Sequence, residues 1–134
     1  MSASLRLRKR SRNWCVRRRD VIARGLESRR WRLATAEALS AGDVSRTLAQ
    51  APRANEWFTT GVVVPHADAA SLARAIEHSE AQVRLLVPHG DASAEISVVT
   101  PDRPRSATIR FGSVAEGRRR AWLAALDLLR RALA

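Results

Sequence analysis

Apolar residues recur along the chain at two periods, and each change of period marks an element. Val21, Ile22 and Leu26 share one side of a helix predicted over about residues 17–30. Leu33 to Ala36 is a short apolar stretch suited to a buried strand. Ser40, Gly42 and Asp43 then supply helix-start chemistry ahead of Val44 and Leu48, with Ser40 expected to cap. That helix stops near Ala51, because Pro52 disfavours helical geometry in the residue before it. Trp57 to Val64 is β-branched and aromatic and reads as a strand closed by Pro65. Leu72 and Ile76 give a short helix over 71–80, Val83 to Val87 a strand, and Pro88, Gly90 and Asp91 a turn. Glu95 to Thr100 and Ala107 to Phe111 are two further strands, joined by a loop holding Pro101 and Pro104. After Gly112 and Gly117, Trp122, Leu126, Leu129 and Leu133 recur at i, i+4, i+7 and i+11, the stripe of an amphipathic helix. This order predicts an α/β domain of three-layer α/β/α type, with a mixed sheet of about five strands between helices. No internal repeat and no interior low-complexity stretch is seen.

With 134 residues the chain is one domain by size. No apolar run approaches the ~20 residues of a membrane span, so no membrane partner is expected. The single Cys15 excludes an intramolecular disulfide and a Cys-pair zinc site, and fits a reducing cytoplasm. Charge changes the picture more. There are 24 basic and 13 acidic residues, a net +11, yet Lys9 is the only lysine and tyrosine is absent. Proton transfer by lysine or tyrosine therefore has nothing to work with in the folded part. Residues 1–19 hold Arg6, Arg8, Lys9, Arg10, Arg12, Arg17, Arg18 and Arg19 and no acid. We expect a basic arm over 1–19, flexible or helical only near Trp14, ahead of a domain over 20–134. Such an arm is a solvated tail, a nucleic-acid or polyanion contact, or a targeting peptide. Arg17 to Arg19 are followed by Asp20 and Gly25 rather than an apolar core, which argues against a secretory signal.

Candidate chemistry is sparse. There is no glycine-rich dinucleotide motif and no P-loop. Ala38-Leu39-Ser40-Ala41-Gly42 sits where a nucleophile elbow would, between strand and helix, but lacks its first glycine. His66 and Asp68 offer two metal ligands and nothing nearby offers the rest, so no metal and no cofactor is expected. His78 falls on an exposed helix face and His89 in a turn, neither with an assignable partner. Arg118, Arg119 and Arg120 open the last helix, where the dipole disfavours cations. They are surface arginines, or one of them joins free backbone N–H groups in an anion site.

Leu33-Ala34-Thr35-Ala36-Glu37-Ala38-Leu39-Ser40-Ala41-Gly42 resembles the L-A-T-A-E-S-C-T-G-G signature of the CinA C-terminal domain family. That family includes nicotinamide-nucleotide amidases and competence- or damage-inducible proteins. Arg46 to Pro52 is similar to the family's R-L-T-x-V-P helix end, Trp57 to Val64 to its F-x-G-G-V-V-A-Y strand, and Arg118 to Leu133 to its closing helix. The resemblance spans most of residues 20–134 and allows a homo-oligomer.

The departures fall on the chemistry. The resemblance implies a nucleophilic serine where this chain has Ala38, a tyrosine where it has Pro65, and a lysine at about Ala70. The loop that closes over the substrate corresponds to Val87-Pro88-His89-Gly90-Asp91, and the stretch from Val64 to Val83 is short. Amide hydrolysis needs an activated nucleophile and a base. The expectation is therefore a catalytically degenerate CinA-like domain with no catalytic residue. Thr35, Glu37, Ser40, Gly42 and Arg118 are candidates to bind a mononucleotide or other small anion. Two alternatives stand beside it: an amidase whose nucleophile has moved to Ser40, and a nucleic-acid-binding module working through the arm.

Overall fold

The structure, a computed structural model, describes the backbone of residues 3–134 and the side chains of residue 10 and residues 12–134. Five strands form one mixed sheet. β1 (Leu33–Glu37) lies between β2 (Phe58–Val63) and β3 (Val83–Val87), parallel to both; β4 (Ser93–Val99) and β5 (Pro104–Arg110) continue the sheet antiparallel, giving the order β2-β1-β3-β4-β5. The helices are α1 (Ala3–Arg29), α2 (Asp43–Ala49), α3 (Ala54–Trp57), α4 (Ala69–Ala75) and α5 (Val114–Ala132).

β1 is buried along its whole length, as expected of a central parallel strand covered on both faces. The larger core lies on one face, where Ile22 and Leu26 of α1, Val44 and Leu48 of α2, and Leu126 and Leu129 of α5 meet Leu33, Leu85, Ile96 and Val98. Trp122, at the start of the predicted stripe, is half-buried and donates from Nε1 to Thr47 Oγ1 at 2.9 Å, tying α5 to α2. On the other face Ala34, Ala36 and Ala38 leave room for α4, whose Leu72 is buried there with Ile76 just beyond it. Along β4, Ala94, Ile96 and Val98 turn inward while Ser93, Glu95 and Val99 are exposed. The domain is thus three-layered over its parallel half and two-layered over its antiparallel half, where the outer face is polar.

Four local readings are corrected. α1 begins at Ala3 rather than near residue 17 and runs past residue 19 without a break. No glycine or proline interrupts it before Gly25, and arginine is a good helix former, so propensity supports a helix that periodicity does not show. Cys15 is 3% exposed and belongs to the core, with Trp14 packed beside it, so the arm and the domain are not separable at residue 19. Burial pushes the Cys15 thiol up to about 11, against the opposing pull of Arg119 and Arg18. α4 ends at Ala75, which leaves His78 in a turn. Gly117 lies inside α5, where the Phe111 ring packs on it, and Pro104 opens β5, an edge strand that tolerates a missing donor. α3 is a single turn that no apolar period announces. Among the described residues no helix is long and apolar enough to cross a membrane.

Two substitutions test this packing. Leu126→Ala should cost about 2–5 kcal/mol in urea unfolding, the usual range for a fully buried leucine and its cavity. Gly25→Ala should also destabilise, although alanine is intrinsically favoured in a helix by about 1 kcal/mol. A Cβ at residue 25 would lie 2.8 Å from Leu133 Cβ and 3.2 Å from Leu133 O. A stabilised Gly25→Ala variant would show that α1 and α5 are not held this close.

Candidate functional site

The loops that follow the three parallel strands converge at one end of the sheet. The chain passes from β1 to β2 on one side of it and then from β2 across to β3 on the other, so the strand order reverses around the C-terminal end of β1. Open α/β sheets bind ligands at that position. A cleft of about 260 Å³ opens there. Its walls are Ala38, Leu39 and Ala41 after β1, Pro65 and His66 after β2, and His89, Gly90 and Asp91 after β3, with Val114 and Arg118 of α5 at the rim. Two larger depressions, of about 340 and 290 Å³, flank α1 between Leu26 and Trp57 and beside Pro52. Neither touches a C-terminal end of a parallel strand.

Thr35, Glu37, Ser40 and Gly42 do gather next to this cleft, but they face one another. Glu37 is wholly buried. Its Oε1 accepts from Ser40 Oγ at 2.5 Å and from the Val44 N–H at 3.0 Å, and its Oε2 from the Ser45 N–H at 2.8 Å. Ser45 Oγ donates to Oε2 as well. That commits the Ser45 proton, so Thr35 Oγ1, 2.7 Å away, donates to Ser45 Oγ. Asp43 N–H bonds to Ser40 O, and Arg46 N–H makes the first intrahelical bond, to Gly42 O. Every amide of the first turn of α2 has a partner. The anion that the sequence expects from solution at this helix start is the chain's own Glu37. Ser40 is therefore no cap. Its hydroxyl is held under the loop with no exposure, and Gly42, at φ 93°, takes the cap position without a side chain.

Arg118 is the candidate nearest the cleft. It makes a bidentate pair with Asp43, Nε to Oδ2 at 2.8 Å and Nη2 to Oδ1 at 3.0 Å, and this contact raises the Arg118 pKa above the ordinary arginine value. The start of α5 is partly closed. Ser113 Oγ accepts from Glu116 N–H, and Glu116 Oε2 accepts from Gly112 N–H, a variant of the capping box that reaches one residue before the cap. The S-x-x-E spacing announces that box in the sequence. Arg120 pairs with Glu116 at 2.8 Å. Of the arm residues, Arg10, Arg12 and Arg17 are exposed, and Arg18 stacks on Trp14 at 4.1 Å. Arg19 lies 3.6 Å from Asp20, and the side chains of Arg6, Arg8 and Lys9 lie outside the described residues.

The residues that sequence reasoning left unassigned are His66 and His89. The structure brings their rings to 4.7 Å between centroids, edge to face. His89 Nε2 lies 3.3 Å from Asp91 Oδ1, and the His89 N–H donates to Ala67 O at 2.9 Å. Asp68 caps α4 by accepting from Ser71 N–H at 2.8 Å, and that bond lowers its pKa. Ala41 and His66 both take left-handed backbone angles, φ 54° and 60°, uncommon for residues other than glycine. The signal for the histidines was present. V-P-H-x-D occurs twice, as Val64-Pro65-His66-Ala67-Asp68 and as Val87-Pro88-His89-Gly90-Asp91. Five residues are too few to read as a structural repeat without knowing that the two strands before them flank the same neighbour.

A mixed, open sheet of five strands with helices on its faces defines a class of α/β domain. Within that class the chain belongs to the CinA C-terminal domain family, whose model matches residues 17–97. Its fold is that of a competence or damage-inducible protein from Enterobacter asburiae, with TM-score 0.73 at 17% identity, covering 90% of this chain and 98% of that one. A CinA-superfamily protein from Enterobacter cloacae superposes with TM-score 0.74 at 17% identity over 90% and 92% of the two chains. A competence/damage-inducible protein from Agrobacterium tumefaciens gives 0.73 at 15% over 90% and 95%. No curated protein matches the chain in sequence.

Glu37→Gln tests the closed helix start. An amide nitrogen would replace one acceptor among donors, so urea unfolding should show a loss of about 1–3 kcal/mol. An unchanged midpoint would mean that the carboxylate does not carry α2.

Proposed function

We propose that this is a CinA C-terminal-type domain that binds a small anion, a mononucleotide among the candidates, without hydrolysing it. The observation that carries the reading is the wall of the cleft after β1. Ala38, Leu39 and Ala41 line it, while Ser40, the one hydroxyl of that turn, is buried on Glu37. An attacking oxygen must reach the substrate, and Ser40 Oγ faces the carboxylate beneath it. Binding rests on the position of the cleft and on its polar groups, His66, His89, Asp91 and the paired Arg118. The purified chain should release no ammonia from nicotinamide mononucleotide above background, while calorimetry should detect binding. Ammonia release that disappears in Ser40→Ala would establish the relocated-nucleophile amidase instead.

A second reading belongs to α1. Arg10, Arg17 and Arg24 are exposed and recur every seven residues, which places them on one side of the helix over about 21 Å. We propose that this row contacts the phosphate backbone of nucleic acid. Three such contacts make log K fall with log salt at a slope of about −2.7 on duplex DNA, or about 40-fold between ~50 and ~200 mM. Arg10→Gln/Arg17→Gln/Arg24→Gln should flatten that slope by the same amount. Arg32→Gln/Arg74→Gln/Arg103→Gln, equal in charge and away from the row, should bind as the parent does. Equal loss in both variants would reduce the effect to net charge.

A further inference from the structure

We infer that His66 and His89 form a two-imidazole clasp for the phosphate group of the ligand, and that the clasp engages by taking up protons. The inference rests on the reading of the cleft as an anion site and adds its specificity and its control. Its basis is the duplicated V-P-H-x-D segment. β2 and β3 both run parallel to β1, and Glu37 is in register with Val63 on one side and Val87 on the other. Two pentapeptides that share four residues, one starting just past the end of β2 and the other on the last residue of β3, each deliver one histidine to the end of the strand between them. The segments are joined directly by the His89 N–H to Ala67 O bond.

Each segment holds its histidine by a different device. His66 follows Pro65 and sits at φ 60°. His89 precedes Gly90, where a Cβ would come within 1.8 Å of Ser93 O, so only glycine allows this path to β4. Asp91 orients the His89 ring through Nε2. Positions set this firmly, on loops that close no core, suit side chains that must meet a ligand.

Neutral imidazoles tolerate an edge-to-face contact. Two imidazolium charges at the same separation repel each other, and an anion seated against both removes the repulsion. Proton uptake and anion binding therefore strengthen each other, by the reciprocity of linked equilibria. The charged groups facing the pair are Asp91 beside His89 and, from α5, Arg118, whose charge is spent on Asp43 of α2. Asp68, two residues past His66, is bonded to Ser71 N–H, and Glu37 is sealed under the turn after β1. Histidine is the side chain whose charge changes between about pH 5 and 8, so the balance at the mouth turns positive on mild acidification.

The test uses sulfate, which stays a dianion throughout, together with nicotinamide mononucleotide. Calorimetry on the full chain at about pH 5.5 and about pH 8 should show each ligand binding at least ~10-fold tighter at the lower value. His66→Gln and His89→Gln should each remove most of that difference. Sulfate should raise the titration midpoints of both imidazoles, read by NMR in the parent chain. If the mononucleotide binds equally at both pH values, and equally in both variants, the clasp is wrong and the cleft stands. If neither ligand binds at either pH, both fail. Wild-type pH dependence kept in both variants would place the titrating group elsewhere and overturn the inference.

Discussion

Glu37 is wholly buried, and a carboxyl group is tolerated there because four donors converge on it. Removing a carboxylate from water costs several kcal/mol unless charge-assisted hydrogen bonds replace its hydration. Here they come from two backbone amides at the start of α2, the hydroxyl of Ser40 in the adjoining turn and the hydroxyl of Ser45 in α2 itself. The same contacts anchor a helix of 7 residues that could not persist alone. They also fix the turn from Ala38 to Gly42 against the end of β1. Everything at that end of the sheet is built on this anchor. Ala38 and Leu39 face the cleft because Ser40 faces Glu37. Asp43, placed by the first turn of α2, then draws Arg118 across from α5.

That anchor explains why sequence reasoning reached the site but misread its interior. The L-A-T-A-E segment, the helix after it and the closing helix are all visible, since each combines a period with boundary residues. Ser40 carries the usual chemistry of a cap. What cannot be read from one segment is that a carboxylate from the preceding strand competes for the same amides and wins by its charge. The first half of α1 fails for the opposite reason. Its residues are too polar to show a stripe, and the contact that orders it, Cys15 and Trp14 against the core, involves two positions in a run of arginines. Trp57 likewise reads as the start of a strand but ends α3, its ring buried and stacked near Phe58 at 6.2 Å.

The parallel half of the sheet has a local symmetry that the chain order hides. β2 and β3 are separated in sequence by α4 yet occupy equivalent places on either side of β1. Short segments that share V-P-H-x-D after such strands meet in space, whereas the same segments after β4 would point to the opposite end of the sheet. Topology, more than similarity, makes the two V-P-H-x-D copies a pair.

Of the two helix N-termini nearest the cleft, that of α2 has its first-turn amides satisfied, two of them by Glu37, while the Ser113 and Glu116 contacts satisfy only part of that of α5. Arg118, which would be the natural anion contact, is held by Asp43 in a bidentate pair whose geometry a ligand would have to break. Much of the positive potential that usually serves a phosphate is thus already engaged inside the fold. The side chains left at the mouth whose charge is adjustable near neutral pH are the two imidazoles. An anion bound in this cleft, as proposed above, would meet the amides at the start of α5 together with the two imidazoles, and protonation of the imidazoles would then make its affinity depend on pH.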